Sequence, residues 1–417
     1  MRHPVRLSLP AAGRDTERRT TSPKEGQVPV RPETQRELAQ QVVTFLESGS
    51  TSMVADVFHN PVADYTDVHH LQLETTNLFR VDPLLIGHAS QCANPRDFLT
   101  RDVAGVPVLV VRQRDSSLAA FLNVCRHRGS KVEFDACGQR NSFSCRYHAW
   151  TYRLDGSLAS VPHSDDFGPL DRAEHGLVAL PVVERHGLVW VGLTPGTGID
   201  VAAHLGPELD AELASYGLEG FVVERTETRT IDLNWKVVID GFLETYHLGV
   251  LHRTTIGPHI RTNVAPFRSF GAHGCMTAVR TSFDKIRYED LATVDAGQHL
   301  VHAYNVFPNS VMVWSGKHME LWISYPVTGH PGHTNVTVHV LGEKSHVAED
   351  PGYFDRNWIV ITDTVLTEDF MIGQSIQQGF TSGAQTHVTF GRNEPGVQHF
   401  HRSLAERVRG RDVVVTS

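Results

Sequence analysis

The feature that most constrains this chain is a pair of short motifs, Cys125-Arg-His127 and Cys145-Arg-Tyr-His148, separated by 17 residues. Two thiolates and two imidazoles from two loops can bind zinc or a [2Fe–2S] cluster. The Cys-x-His spacing is tighter than that of zinc-finger ligands. It suits a cluster in which two thiolates hold one iron and two histidines hold the other. Each motif follows a strand-like run, Phe121-Leu-Asn-Val and Ser142-Phe-Ser, so two loops facing each other on a rigid sheet are expected. Neutral imidazoles in place of thiolates raise the potential of such a cluster. That suits an electron carrier fed from a nicotinamide-derived chain.

The bulk composition sets outer limits. At 417 residues the chain can bury a large core and form two domains. A net charge of −9 without a long basic run disfavours nucleic acid as a partner. No apolar run is long enough for a membrane helix, and residues 1–35, rich in Arg, Thr, Pro and Glu, read as a disordered tail rather than a secretory signal. Glu17, Glu25 and Glu33 argue against a transit peptide. Five cysteines, widely spread, do not form a disulfide framework, and a cytoplasmic location is expected. Cys92, Cys137 and Cys275 are expected to be ordinary buried thiols.

Periodicity divides the rest. Residues 37–56 and Asp67 to Phe79 have helical spacing, which predicts N-terminal helices over 36–80. From Pro83 the pattern changes to short β-branched runs, such as Val106-Pro-Val-Leu-Val-Val and Leu118-Ala-Ala-Phe-Leu, punctuated by turn signals. Residues 81–200 therefore read as a small all-β domain. Residues 201–417 mix helix and strand: a half-solvated strand at Val222 to Leu233, strands near 261–281, 311–325 and 335–341, and a final helix from about Asp355 to Gly379. This order predicts an α+β domain with a helix cradled by an antiparallel sheet.

Within that second domain the stretch from Asn234 to His252 carries Asp240, Glu244, His247 and His252. Glu244 and His247 share one helical face at i, i+3. His252 lies five residues beyond His247, so convergence on one metal requires a local irregularity, such as a π-type turn near Gly249. Asp240 is assigned a supporting role behind the ligands.

Cys125-Arg-His-Arg-Gly129, Cys145-Arg-Tyr-His-Ala-Trp150, Asn234-Trp-Lys236 and Glu244-Thr-Tyr-His247-x4-His252, in this order, resemble the Rieske non-heme iron oxygenases, the catalytic alpha subunits of ring-hydroxylating oxygenases. The likeness spans about residues 60–410. It implies a Rieske [2Fe–2S] cluster on Cys125, His127, Cys145 and His148 in an all-β domain. It also implies a helix-grip catalytic domain with a long C-terminal helix and a mononuclear Fe(II) held by His247, His252 and a later carboxylate. Asp369 is chosen for that carboxylate, with Glu368 and Asp363 as alternatives. Glu244 then takes the place of the acid that links the iron to a neighbouring subunit's cluster histidine, here His148. Many ring dioxygenases have Asp there; this chain has the longer Glu. Electrons are expected from NAD(P)H through a separate reductase, with or without a ferredoxin. Transfer between subunits implies a homotrimer or larger ring, with a beta subunit possible. Arg126, Arg128, Lys131 and Arg146 either dock an acidic donor or satisfy loop carbonyls.

The resulting expectation is a terminal oxygenase that uses O2 to hydroxylate an organic, aromatic substrate. The alternative is a monooxygenase acting on a quaternary amine or performing N- or O-demethylation, and a remote one is a non-catalytic iron–sulfur carrier. Phe242, Leu243, Val250, Leu251, Val311, Val313, Trp314, Phe370 and Gly373 are candidate pocket residues. Metal analysis separates the classes: about three irons and two acid-labile sulfides per chain are expected of an oxygenase, about two irons of a carrier, and a colourless zinc protein of a purely structural site.

Overall fold

The computed structural model describes residues 32–409. Residues 1–31 of the expected tail lie outside the described residues, and the first helix, Pro32–Ser48, begins before the expected boundary at 36. It packs Leu38, Val42 and Val43 against Val279, Phe283 and Leu300 at one end of the second domain. The second N-terminal segment is broken into Ala63–Thr66, Val68–Glu74 and a π-helical turn Thr75–Phe79. No helix among the described residues is long and apolar enough to cross a membrane.

The β domain follows the sequence expectation. Its five-stranded antiparallel sheet runs in the order Ala179–Leu180, Leu118–Leu122, Val106–Arg112, Asp97–Val103, Cys137–Gln139. A small sheet of Phe143–Ser144, Thr151–Tyr152 and Leu158–Ser160 carries the second cysteine loop. Phe98, Leu109, Val111, Phe121, Phe143, Trp150 and Tyr152 form one core between the two sheets, and Cys125 and Cys145 lie in it. Cys92 and Cys275 are buried, but Cys137 is exposed, contrary to expectation. It sits in a short edge strand whose three residues are all exposed.

The second domain is a seven-stranded antiparallel sheet gripping helices. Its strand order is Phe221–Ile231, His330–Glu343, His318–Val327, Ser310–Trp314, Leu300–Val306, His273–Val279, Phe267–Phe270. Leu300–Val306 escapes the sequence reading because polar residues are buried within it, His302 and Asn305 among them. The expected final helix is longer than anticipated. Pro351–Ile361, a π-helical segment Thr362–Asp369 and Phe370–Thr381 follow one another without a break, and a further helix, Pro395–Arg409, comes after it.

The helix Trp235–Phe242 is fixed at its start by Asn234, whose side chain accepts from the Lys236 N–H at 3.0 Å. That satisfies an otherwise unpaired donor of the first turn. The Asn234 amide also donates to the Pro331 carbonyl, and Gln377 of the C-terminal helix accepts from the Asn234 N–H at 3.0 Å. Trp235 Nε1 and Lys236 Nζ both donate to Glu74, and Lys236 and Glu74 are each 1% exposed at the side chain. Asn-Trp-Lys thus pins this helix to the N-terminal segment, the sheet and the C-terminal helix.

Burial would raise the Glu74 pKa, but Lys236 and His70 outweigh it and hold the carboxyl below its ordinary value. The group therefore contributes stability above the pKa of an unfolded glutamate and loses it as pH falls through its lower folded value. Lys236→Met leaves a buried carboxylate without its cation and is expected to lower unfolding stability by about 3–5 kcal/mol in urea titrations. Lys236→Met combined with Glu74→Gln should recover most of that loss.

Candidate metal centres and cavity

In the β domain the two motif loops close on themselves in the same way. Cys125 O accepts from Gly129 N and Cys145 O from Ala149 N, while Cys125 N donates to Ser130 O and Cys145 N to Trp150 O. Gly129 and Ala149, each four residues after its cysteine, both have left-handed φ, +81° and +56°. This tight turn brings each histidine back beside its cysteine. The two imidazoles lie 4.7 Å apart between ring centroids, and His127 stacks on Trp150. Cys125 and Cys145 are each 3% exposed, whereas His148 is exposed at the domain surface.

Burial pushes the Cys125 thiol up, although the Tyr152 hydroxyl, 3.3 Å from its sulfur, works the other way. Two buried thiols facing two more exposed imidazoles match the division of ligands in a [2Fe–2S] cluster with mixed ligation. One side chain at this site that the motifs do not reveal is Tyr152, which touches Cys125 and also accepts from the Arg126 N–H at 2.9 Å. Its only signal was its position just beyond Trp150. Arg126, Arg128, Lys131 and Arg146 are exposed around these loops.

In the catalytic domain the helix Trp235–Phe242 stops, and a separate short helix, Leu248–Leu251, follows it. The irregularity that joins the two histidines is therefore this break. The expected π turn near Gly249 does not form, and the π segment lies instead at Thr362–Asp369. Gly249 serves close packing: a Cβ there would come within 2.4 Å of the Thr262 hydroxyl. Glu244 accepts from the Tyr246 and His247 N–H groups at the entrance to the short helix.

His247, His252 and Asp369 come together, with one ligand atom from each all within 4.8 Å. One Asp369 oxygen lies 3.1 Å from His252 Nε2 and 3.6 Å from His247 Nε2. The other nitrogen of each ring is also held. His247 Nδ1 bonds Glu244, and His252 Nδ1 bonds Glu368 at 2.7 Å, with Thr255 donating to the same carboxylate oxygen. Carboxylates behind ligating imidazoles fix the tautomer and strengthen the ligand. Burial alone would lower the His252 pKa, but Asp369 and then Glu368 outweigh it and raise it. Two imidazoles and one carboxylate form a donor set suited to non-heme Fe(II) with open positions.

Glu368 and Asp369 engage His252 from opposite sides, at Nδ1 and Nε2. The role of Glu368 was missed because it depends on the register of the π segment. Asp363 is exposed and away from the group. Asp240 does not touch either histidine of the group; it bonds His401 at 2.8 Å and accepts from Tyr65 at 3.3 Å.

Two cavities flank this helix. A smaller one, about 220 Å³, is lined by Phe242, Glu244, His247, Leu251, Asp369, Phe370 and Gly373 among others. A larger one, about 540 Å³, lies between the helix and the sheet, walled by Phe242, Thr245, Leu248, Met276, Ala303, Val313 and Thr364. It also has polar walls: Arg280, Ser315, His318, Glu320, Tyr353 and Asn357. None of these six was a pocket candidate from sequence, because each reaches the cavity only through the strand register and the placement of the Pro351–Ile361 helix. Of the candidates, Leu243, Val311 and Trp314 are core, and Val250 is 83% exposed.

Residues 82–180 match the Rieske [2Fe-2S] domain, and residues 218–410 match the ring hydroxylating alpha subunit catalytic domain. The carnitine monooxygenase oxygenase subunit of Escherichia coli K12 is 29% identical over 360 residues, covering 83% of this chain and 92% of that protein. The benzene 1,2-dioxygenase alpha subunit of Pseudomonas putida is 33% identical over 197 residues, 44% of this chain and 42% of that protein. Among solved structures, a quaternary ammonium Rieske monooxygenase superposes with a TM-score of 0.73 at 20% identity, covering 89% of this chain and 98% of that one. Naphthalene 1,2-dioxygenase from Rhodococcus sp. gives 0.68 at 18% identity, over 90% and 98%.

Removal of the Asp369 carboxylate should release the mononuclear iron while leaving the cluster's visible spectrum unchanged. Asp369→Ala is expected to lose about one iron per chain. Glu368→Gln should retain iron but weaken its affinity roughly 10–100-fold in a chelator competition.

Proposed function

The chain belongs to the Rieske oxygenases, with a Rieske [2Fe-2S] domain joined to a ring-hydroxylating alpha-subunit catalytic domain, and we propose that it is a monooxygenase acting on a small quaternary amine. It is a terminal oxygenase whose metal centres are a [2Fe–2S] cluster and a mononuclear iron. The assignment of Cys125, His127, Cys145 and His148 to the cluster, and of His247, His252 and Asp369 to the iron, is part of this proposal. The burial of the two thiols and the meeting of three donors within 4.8 Å support it.

The observation that carries the amine reading is Glu320. Its carboxylate is buried on the cavity wall, one oxygen accepting from Trp322 Nε1 at 2.9 Å and the other 3.5 Å from His318 Nε2. No lysine or arginine pairs with it among the described residues. Phe242 and Tyr353 line the same cavity. A carboxylate beside aromatic faces attracts an organic cation. The match to a carnitine monooxygenase subunit over 92% of its length agrees with this. Aromatic hydroxylation is the second reading; the many apolar lining residues and the benzene dioxygenase alpha subunit favour it.

The iron supplies O2 activation when bound. The protein's part is positional. Phe242 and the sheet hold the substrate under the helix, and Glu320 orients its cationic nitrogen. A C–H next to nitrogen becomes C–OH, with O2, two electrons and two protons consumed and one water formed. The hydroxylated carbon then separates from nitrogen as a carbonyl compound. Glu244, bonded to His247 Nδ1, is proposed to carry the electron path to the partner subunit's His148. The exposed His148 fits such a contact. This requires at least a homotrimer, with or without a beta subunit. A reductase, with or without a ferredoxin, is the proposed donor of NAD(P)H-derived electrons at the arginine-rich face of the cluster loops. The buried free thiols Cys92 and Cys275 suit a cytoplasmic location.

With a surrogate reductase, O2 uptake is expected with quaternary amines, together with release of a carbonyl product. A cis-diol from benzene or naphthalene with no amine turnover would overturn the amine reading. Glu244→Gln should lower turnover roughly 10–100-fold with iron content intact; a loss no larger than that of a surface variant would remove the bridge.

A further inference from the structure

The large cavity holds a second charged group that the reading above does not use. Arg280 follows the strand His273–Val279 and lines the cavity wall. Its backbone is held on both sides: its N–H donates to His299 O, and it bridges Ile260, which lies eight residues beyond His252. Its guanidinium donates to the Ser315 hydroxyl at 3.0 Å and lies 3.5 Å from the Ser315 carbonyl. Both partners are neutral. Among the described residues no carboxylate forms an ion pair with it, whereas Arg112 has Glu184 and Arg268 has Glu212.

A guanidinium that borders a cavity and is only partly satisfied by a hydroxyl is a strong site for a planar anion. Its five donors form a fork that matches a carboxylate in two-point contact. Burial already holds the Arg280 pKa below its ordinary value, with only Tyr353 opposing. An anion in the cavity would reverse that desolvation penalty. Glu320 sits elsewhere on the same wall, on the strand His318–Val327 and paired in register with Val313. Val313 pairs with Ala303, and Ala303 with Met276, four residues before Arg280. The Arg280 guanidinium reaches Ser315, whose N–H donates to His318 O, so both charges face the cavity with the apolar side chains of Met276, Ala303 and Val313 on the same wall.

We propose that Arg280, supported by Ser315, anchors a carboxylate on the substrate, so that the substrate is an organic acid held at the sheet end of the cavity. Together with Glu320 on the same cavity wall, this describes a substrate that carries both a cationic and an anionic group. The proposal rests on the cavity being the substrate site of the oxygenase read above.

The test is equilibrium binding to the metal-loaded protein without O2, by calorimetry, for two matched pairs: gamma-butyrobetaine with its methyl ester, and benzoate with benzamide. In at least one pair the acid is expected to bind about tenfold or more tightly than its neutral partner, as befits a charge-assisted two-point contact. Arg280→Met should abolish that preference, Arg280→Lys keep part of it, and Ser315→Ala reduce it, all with unchanged iron content. If Arg280→Met does not fold, the graded loss in Arg280→Lys and Ser315→Ala carries the test. The proposal fails if neither acid binds, if ester and amide bind as tightly as the acids, or if the preference survives these substitutions. Arg280-dependent preference in the benzoate pair alone, with no amine turnover, would keep the anchor and sink the amine reading. Amine turnover with no Arg280-dependent preference would do the opposite.

Discussion

Everything in the catalytic domain turns on one carboxylate oxygen of Asp369 standing between two imidazole nitrogens, 3.1 Å from His252 and 3.6 Å from His247. The three residues come from two elements far apart in sequence, so this meeting must be imposed by the fold. Three devices impose it. The break after Phe242 lets the short helix Leu248–Leu251 turn its flanking histidines toward each other. The π segment Thr362–Asp369 aims Asp369 at them while leaving Glu368 on the far side of His252. Widened helical turns of this kind recur at functional sites because they re-aim side chains without ending the helix. Glu244 and Glu368 then hold both rings from behind, so each imidazole presents the same nitrogen, Nε2, to the centre.

The wider structure secures those devices. Asn234, Trp235 and Lys236 tie the helix Trp235–Phe242 to Glu74, Pro331 and Gln377 by four hydrogen bonds to three different elements. A buried Lys–Glu pair is a poor source of net stability, but breaking it leaves a buried charge, so it fixes position more than it adds free energy. The β domain uses a different device for the same end: two self-closing loops with left-handed residues, backed by a core that swallows the cysteines and leaves His148 at the surface.

How much of this was legible in the sequence depended on the range of the interaction. The cluster motifs are local, and spacing alone carried them. The all-β domain and the antiparallel sheet with a long helix followed from periodicity, apart from Leu300–Val306, whose buried His302 and Asn305 disguise a strand. His247, His252 and Asp369 were named because a family resemblance supplied what spacing could not. The turn that joins the histidines was expected in the wrong form, since helix breaking after Phe242 depends on where tertiary contacts stop. Glu368 was named only as an alternative ligand, and Arg280, Glu320 and Tyr353 were invisible as site residues. Each is an ordinary polar residue in sequence, and only sheet register or π-helical phase carries it to the metal group or the cavity wall. Val250 erred the other way: an apolar residue beside the histidines, it faces out at 83% exposure.

The central claim is that these three side chains hold one iron, with His247 and Asp369 on the wall of the smaller cavity. Anomalous diffraction from crystals of the iron-loaded protein, collected at the iron edge, tests it most directly. The account predicts, besides the cluster, a single separate peak within bonding distance of His247 Nε2, His252 Nε2 and an Asp369 oxygen, with neither Glu244 nor Glu368 bound to it. A peak bound by Glu368 instead of Asp369, or no peak there in protein whose cluster is fully occupied, would contradict it.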